Sequence, residues 1–246
     1  MVPADLTSVI LAGGFGTRIK HLLAEIPKPM APVDGRPFLE WVLRFLVAQG
    51  VHQSVLSTGH LSEVIESHFA KQPVAGMRVA CRKETEPRGT GGGFLHAISG
   101  HQPRPAAWLV TNGDSLVLAN LTLFCAALDR NDWDAAILGV PMNDAARYGT
   151  LKIDAQDRLV AFQEKRPGAG LINAGVYLFR AAVIDRFPQK PKLSFETDIF
   201  PQLLEQDVRI GVHRAEAPFI DIGTPDSLGE ASAFIQQHRP AFAAAA

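Results

Sequence analysis

The apolar run Ser8-Val9-Ile10-Leu11-Ala12 opens directly into Gly13-Gly14-Phe15-Gly16-Thr17-Arg18. Glycines at a strand end tolerate positive φ and let backbone N–H groups close in on a ligand. Such a turn can cradle phosphate oxygens, although the same residues could also make a tight turn without chemistry. Two familiar phosphate motifs do not fit. Counted from Gly14, the dinucleotide pattern G-x-G-x-x-G meets Gly16 and then Ile19, and the lysine of a P-loop is replaced by the Thr17-Arg18-Ile19 segment. Cations follow instead: Arg18, then Lys28 inside Pro27-Lys28-Pro29-Met30. Prolines on both sides restrict where the lysine points. A fixed cation beside a phosphate-binding turn suits a triphosphate; the ordinary alternative is a solvated surface lysine.

Other reactive residue types are less organised. His60 and His68 are too far apart for a helical i, i+4 ligand pair, and no H-E-x-x-H occurs. Cys81 and Cys125, the two cysteines, have neither zinc spacing nor a disulfide framework, and read as buried thiols of a reducing compartment. Lys plus Arg total 24 and Asp plus Glu 25, so no basic excess marks a nucleic-acid or membrane-surface binder. Any polyanion must be held by a local pocket. No apolar run reaches the length of a membrane span, and the N-terminus lacks a basic leader, so the expected location is the cytoplasm.

The elements that must position these residues follow from periodicity. Hydrophobic residues make up 47% of 246 residues, enough for a sizeable core. Strand-like stretches at 8–12, 55–56, 77–81, 107–111 and 135–140 alternate with helix-like ones at 38–49, 62–70, 92–98 and 121–128. Ser62 is placed to cap its helix. From Gly149 the pattern changes: 150–153, 159–162 and 174–179 are strand-like with short gaps, then 195–205 and 226–238 read as helices. The expectation is an α/β fold: a Rossmann-like, mixed but mostly parallel sheet with helices on both faces and a small antiparallel insert, binding its ligand at the carboxyl ends of the strands.

Ordered blocks along nearly the whole chain then carry a resemblance. LAGGFGTR, IPKPMAPV and GRPFLEWVL are followed by EPRGTGGG (Glu86 to Gly93), NGDS (Asn112 to Ser115), RYGTLKID (Arg147 to Asp154) and FQEK (Phe162 to Lys165). GLINAGVYLF (Gly170 to Phe179), SFETDIFP (Ser194 to Pro201) and FIDIGTPD (Phe219 to Asp226) complete them. Together they resemble the sugar-1-phosphate nucleotidylyltransferases. KPMAP, RYGT, GLIN-x-G-x-Y and FIDIG-x-P resemble most the D-glycero-α-D-manno-heptose 1-phosphate guanylyltransferases, which make GDP-heptose for surface glycans; mannose-1-phosphate guanylyltransferases share most of these blocks.

The resemblance implies one nucleotidyltransferase domain over 1–246. Residues 1–140 would bind nucleotide, and 141–246 the sugar phosphate. The reaction would be sugar 1-phosphate plus NTP giving NDP-sugar plus pyrophosphate, with GTP as substrate and Mg²⁺ as cofactor. A sugar phosphate is already an anion, so no general base or covalent nucleophile is required, and positioning with charge neutralisation dominates. Arg18, Lys28 and Asp114 would be catalytic. Leu11, Ala12, Gly13, Gly14, Gly16, Thr17, Glu84, Gly89, Thr90 and Asn112 would join them around the nucleotide, with Gly91 and Gly92 letting backbone approach the base and ribose. Asp114 and Asp221 are hard oxygen ligands suited to Mg²⁺, though either could be a turn residue.

A carboxylate at Glu84, or its neighbour Glu86, accepts two hydrogen bonds and donates none. That matches guanine N1–H and N2–H₂. Tyr148, Gly149, Glu164, Lys165 and Asn173 would meet the sugar phosphate, with Tyr148 and Asn173 alternatively core or turn residues; Arg147 would be a further phosphate ligand or a surface cation. Arg88 and Gly93 depart from the family, where an apolar residue and alanine are usual. Partners would be small molecules, with no nucleic acid or membrane, and a homodimer is compatible. Another sugar, another base, or a non-catalytic nucleotide-sugar-binding subunit are the competing readings.

Overall fold

The computed structural model describes residues 2–16, 18–23, 25–163 and 167–243. Its strands are β1 (Thr7–Ala12), β2 (Pro32–Val33), β3 (Arg36–Pro37), β4 (Gln53–Thr58), β5 (Arg78–Lys83), β6 (Ala107–Asn112), β7 (Ser115–Val117), β8 (Ala135–Met142), β9 (Thr150–Ile153), β10 (Leu159–Gln163), β11 (Gly170–Arg180), β12 (Ile210–Arg214) and β13 (Phe219–Asp221). The helices are α1 (Lys20–Leu23), α2 (Phe38–Ala48), α3 (Ser62–Lys71), α4 (Gly89–Ile98), α5 (Leu121–Arg130), α6 (Ala181–Ile184), α7 (Phe200–Glu205) and α8 (Pro225–Gln237).

Strands β6, β1, β4 and β5 lie side by side and parallel, joined by crossovers that carry helices. The next strand outward, β11, runs antiparallel to β6 and also pairs with β8 and β9. It draws β12 in beside β8 and β10 in beside β9. The antiparallel strands expected after Gly149 are therefore an extension of the main mixed sheet. Two short antiparallel ladders, β2–β3 and β7–β13, stand apart from it.

Alternation along the strands divides the core in two. Ile10, Leu56, Leu109, Ala136 and Leu178 turn one way, into the apolar stripes of α2, α3, α5 and α8. Val9, Val55, Trp108, Val110, Tyr177 and Phe179 turn the other way, onto α4, α6, α7 and the turn before α7. On this second face Phe179 stacks on Phe195 at 5.4 Å and on Phe200 at 5.7 Å. Both faces of the sheet are thus covered, as parallel strands rich in Val, Ile and Leu require.

Several boundaries differ from the sequence reading. Ser62 is not the cap of α3. Leu61 holds that place in the left-handed region, at φ 56°, and Ser62 is buried inside the first turn. The stretch at 195–205 begins as a π-helical turn, Phe195–Ile199, before Pro201 enters the first turn of α7. Ser194 Oγ caps that turn by accepting from the N–H groups of Glu196 and Thr197. Among the described residues no helix is long and apolar enough to cross a membrane.

Candidate active site

A cavity of about 480 Å³ opens at the carboxyl ends of β1 and β6. The residues expected around the nucleotide line it, except Gly91 and Gly92, which are not among its walls, and Thr17, which lies outside the described residues. Sequence reasoning passed over several of its walls: Phe15, Ile19, Pro29, Pro87 and Gly223, with Arg88 noted only as a departure. Phe15 had a signal, being an aromatic side chain among glycines, and it is exposed at the rim beside His60.

The glycine-rich turn closes over Lys28. Gly16 has φ 56°, and a Cβ there would stand 2.9 Å from Lys28 Cβ, so the position needs glycine for both conformation and space. Lys28 begins a short 3₁₀ turn, Lys28–Met30, after Pro27 in extended geometry. Its side chain is 14% exposed and donates to Asp114 Oδ2 at 2.7 Å.

Asp114 follows β6, and Asp221 ends β13. The β7–β13 ladder, which pairs Ser115 with Asp221, draws these distant segments together, and the Ile222 N–H donates to the Asp114 carbonyl at 3.0 Å. Gly223 stands between the charged groups. A Cβ there would meet Asp221 Oδ1 at 2.5 Å and Lys28 Nζ at 3.5 Å.

Asp221 is richly hydrogen-bonded. Its Oδ1 accepts from the Gly223 N–H at 2.7 Å, one Arg147 Nη2 bridges both oxygens at 2.9 Å, and the Tyr148 hydroxyl donates to Oδ2. Burial, the bond to Asp221 and that carboxylate's charge together push the Tyr148 hydroxyl well above its ordinary value.

Two hard carboxylates beside a phosphate-sized cradle suit Mg²⁺, which takes one or two carboxylates with phosphate oxygens and water. Among the described residues no three His, Cys, Asp or Glu side chains gather to hold an ion alone. With two carboxylates from the protein, such an ion would complete its coordination with phosphate oxygens and water.

At the floor, Glu84 rather than Glu86 lines the cavity. Glu84 Oε1 accepts from Ser57 Oγ at 2.8 Å and Oε2 from the Arg88 N–H at 3.0 Å. Gly93 leaves room for this carboxylate: a Cβ at that position would fall 2.6 Å from Glu84 Oε1 and 3.0 Å from Ser57 Oγ. Arg88 Nε is buried without a hydrogen-bond partner.

Other expected groups are used differently. Gly91 and Gly92 give their N–H groups to the Leu193 carbonyl, and Thr90 Oγ1 accepts from the Phe195 N–H, tying α4 to the segment before α7. Asn112 Nδ2 lies so close to Gly175 that a Cβ there would be at 2.2 Å. Of the residues expected at the sugar phosphate, Tyr148, Gly149 and Asn173 are not among those lining this cavity. Tyr148 is engaged with Asp221. The Gly149 carbonyl accepts from the Asn173 N–H at 3.0 Å. The Asn173 side chain donates to Tyr177 Oη at 2.9 Å and accepts from the Gly175 N–H at 3.0 Å. Glu164 and Lys165 lie outside the described residues.

The family model for nucleotidyl transferases matches residues 7–238. The chain belongs to the nucleotidyl transferase family. The chain is 35% identical to a D-glycero-alpha-D-manno-heptose 1-phosphate guanylyltransferase of Aneurinibacillus thermoaerophilus, over 95% of this chain and 100% of that one. It is 35% identical to a mannose-1-phosphate guanylyltransferase of Mycobacterium tuberculosis, over 95% of this chain but 65% of that longer one. A crystal structure of HddC from Yersinia pseudotuberculosis superposes with a TM-score of 0.84 at 34% identity, covering 93% of this chain and 98% of HddC. The HddC structure complexed with GMP-PN gives 0.83. Nucleotidyl transferase chemistry accordingly frames the cavity.

Proposed function

We propose that this chain transfers GMP from GTP to D-glycero-α-D-manno-heptose 1-phosphate, giving GDP-heptose and pyrophosphate. The observation that carries the reading is the convergence in one cavity of the glycine-rich turn, Lys28, Asp114 and the carboxylate of Glu84. Support for the sugar comes from relatives named as heptose 1-phosphate guanylyltransferases, matched over 100% and 96% of their own lengths.

In this reading the turn at Gly13, Gly14 and Gly16 offers backbone N–H groups to the β- and γ-phosphates, and Arg18 adds a cation. Glu84 accepts from guanine N1–H and N2–H₂. Uracil and thymine would face the same carboxylate with carbonyl oxygens on either side of one N–H.

Lys28 stands where charge grows on the α-phosphate. The sugar-phosphate oxygen attacks the α-phosphorus, and the bond to the pyrophosphate oxygen breaks with the electron pair leaving on pyrophosphate. No proton need be removed from the nucleophile. Asp114 and Asp221 are the residues that would hold Mg²⁺, and a bound ion neutralises charge on the triphosphate oxygens. Tyr148, Gly149, Glu164, Lys165 and Asn173 belong to the sugar-phosphate half of the proposal, as do a cytoplasmic location and self-association as a dimer. GDP-heptose made this way would supply surface polysaccharide.

A matrix of nucleotides against sugar 1-phosphates, read by pyrophosphate release, tests the reading. GTP with the heptose 1-phosphate is expected to give the highest kcat/KM. Equal turnover with UTP would remove the base assignment, and preference for mannose 1-phosphate would transfer the sugar assignment to the mannose enzymes.

A further inference from the structure

We propose that Arg147 is a removable counter-ion that occupies the metal's place on Asp221 and is displaced when the metal binds. The inference rests on the reading above that Asp221 is a metal ligand, and adds how access to it is controlled.

An ionised carboxylate has about four lone-pair directions. On Asp221 all are in use. The Gly223 N–H and Arg147 Nη2 approach Oδ1, while Arg147 Nη2 and the Tyr148 hydroxyl approach Oδ2. A magnesium-sized ion needs one of these directions at about 2.1 Å, so a donor must leave.

The three donors differ in freedom. The Gly223 N–H is backbone two residues on, in the turn that carries Asp221 into α8. The Tyr148 ring packs edge-on against Phe219 at 5.5 Å and is half-buried. Arg147 is the least held: its side chain is 45% exposed, it reaches Asp221 through a single nitrogen, and among the described residues its other contacts are a 3.5 Å approach to Ser227 Oγ and the Tyr148 ring. An ion pair whose cation is nearly half exposed holds more weakly than one buried on both sides.

Displacement by a dication is therefore feasible, while a monovalent ion offers little over the guanidinium already there. With the latch closed, the metal side of the site is electrically balanced, Lys28 against Asp114 and Arg147 against Asp221. Arg147 acts through Asp221 and is a positioning residue.

Titration of the full chain with Mn²⁺ alone, followed by the EPR signal of the free ion, tests the latch without relying on turnover. Arg147→Ala is expected to bind Mn²⁺ about fivefold more tightly than the unsubstituted chain. Arg104→Ala removes the cation of another exposed pair, with Asp185, and is expected to leave the affinity unchanged. Asp221→Asn is expected to lose most of the binding. If Arg147→Ala binds no more tightly while Asp221→Asn loses the ion, the latch is overturned and the metal reading stands. An equal gain in Arg104→Ala also overturns the latch, since any lost cation would then suffice. Undiminished binding by Asp221→Asn overturns the metal reading itself.

Discussion

Lys28 and Asp114, 86 residues apart in sequence, meet through a 2.7 Å hydrogen bond at the cavity wall. The bond fixes an ammonium that two prolines already restrict, so its position is set before any substrate arrives. Lys28→Ala should lower kcat for pyrophosphate release by about 10²–10³, the loss typical of one charge-stabilising donor. A rate equal to that of the unsubstituted enzyme would take Lys28 out of the reaction.

Glu84 and Gly93 should set base preference together. Removing the second acceptor of a bidentate contact, in Glu84→Gln, is expected to lower kcat/KM for GTP by about 10- to 100-fold. The loss for ITP, which has no N2 amine, should be smaller. Gly93→Ala should act in the same direction, because its Cβ would stand 2.6 Å from Glu84 Oε1 and push the carboxylate out of line. Unchanged GTP-to-ITP ratios in both variants would separate Glu84 from base recognition.

The Cys81 thiol is pushed up to about 11, first by burial and then by the charge of Glu66. At pH 8 its thiolate should be about a hundredfold scarcer than that of a free cysteine, and alkylation by iodoacetamide correspondingly slower. The sign for stability follows from a folded-state value above the unfolded one. The contribution is whole below about 9 and declines as pH rises towards about 11. Thiol-reaction rates in the folded chain and in urea test this, and equal rates at pH 8 would refute it.

Phe179 is fully buried between Phe195 and Phe200. Phe179→Ala should destabilise the fold by about 3–5 kcal/mol through lost burial and the cavity left behind. Urea unfolding should show a lower midpoint with the same slope. A loss below about 1 kcal/mol would mean that this aromatic cluster does not hold the second face of the sheet.

Most of the architecture was legible because it rests on long-range periodicity. The buried run at Val9 to Ala12 and the spaced apolar face of residues 38–49 could take few other forms. The lining of the cavity was legible as contiguous blocks: glycines and a Gly-Asp pair at strand ends, and a proline-flanked lysine opening a 3₁₀ turn. What sequence could not reveal lies in three-residue strands and in side-chain aim. Ser115–Val117 and Phe219–Asp221 are too short for any period, yet their ladder joins the two aspartates. Asn173 has the donors and acceptors of a sugar ligand, but a positive φ at Gly175 bends β11 so that its amide is taken up by Tyr177 and the Gly175 N–H. Leu61 in a left-handed conformation had no signal, since helix entry there is decided by packing rather than by a capping side chain.

The β7–β13 ladder also bears on how the protein is made. The sheet's first four strands and the glycine-rich turn are translated by residue 112, but the second aspartate comes only with β13. A polypeptide cut short after β12 would lack the second of the two aspartates proposed to hold the metal, and with it α8, whose Ala231 and Ile235 cover one face of the sheet. Premature termination or proteolytic clipping after β12 should therefore yield fragments that cannot turn over.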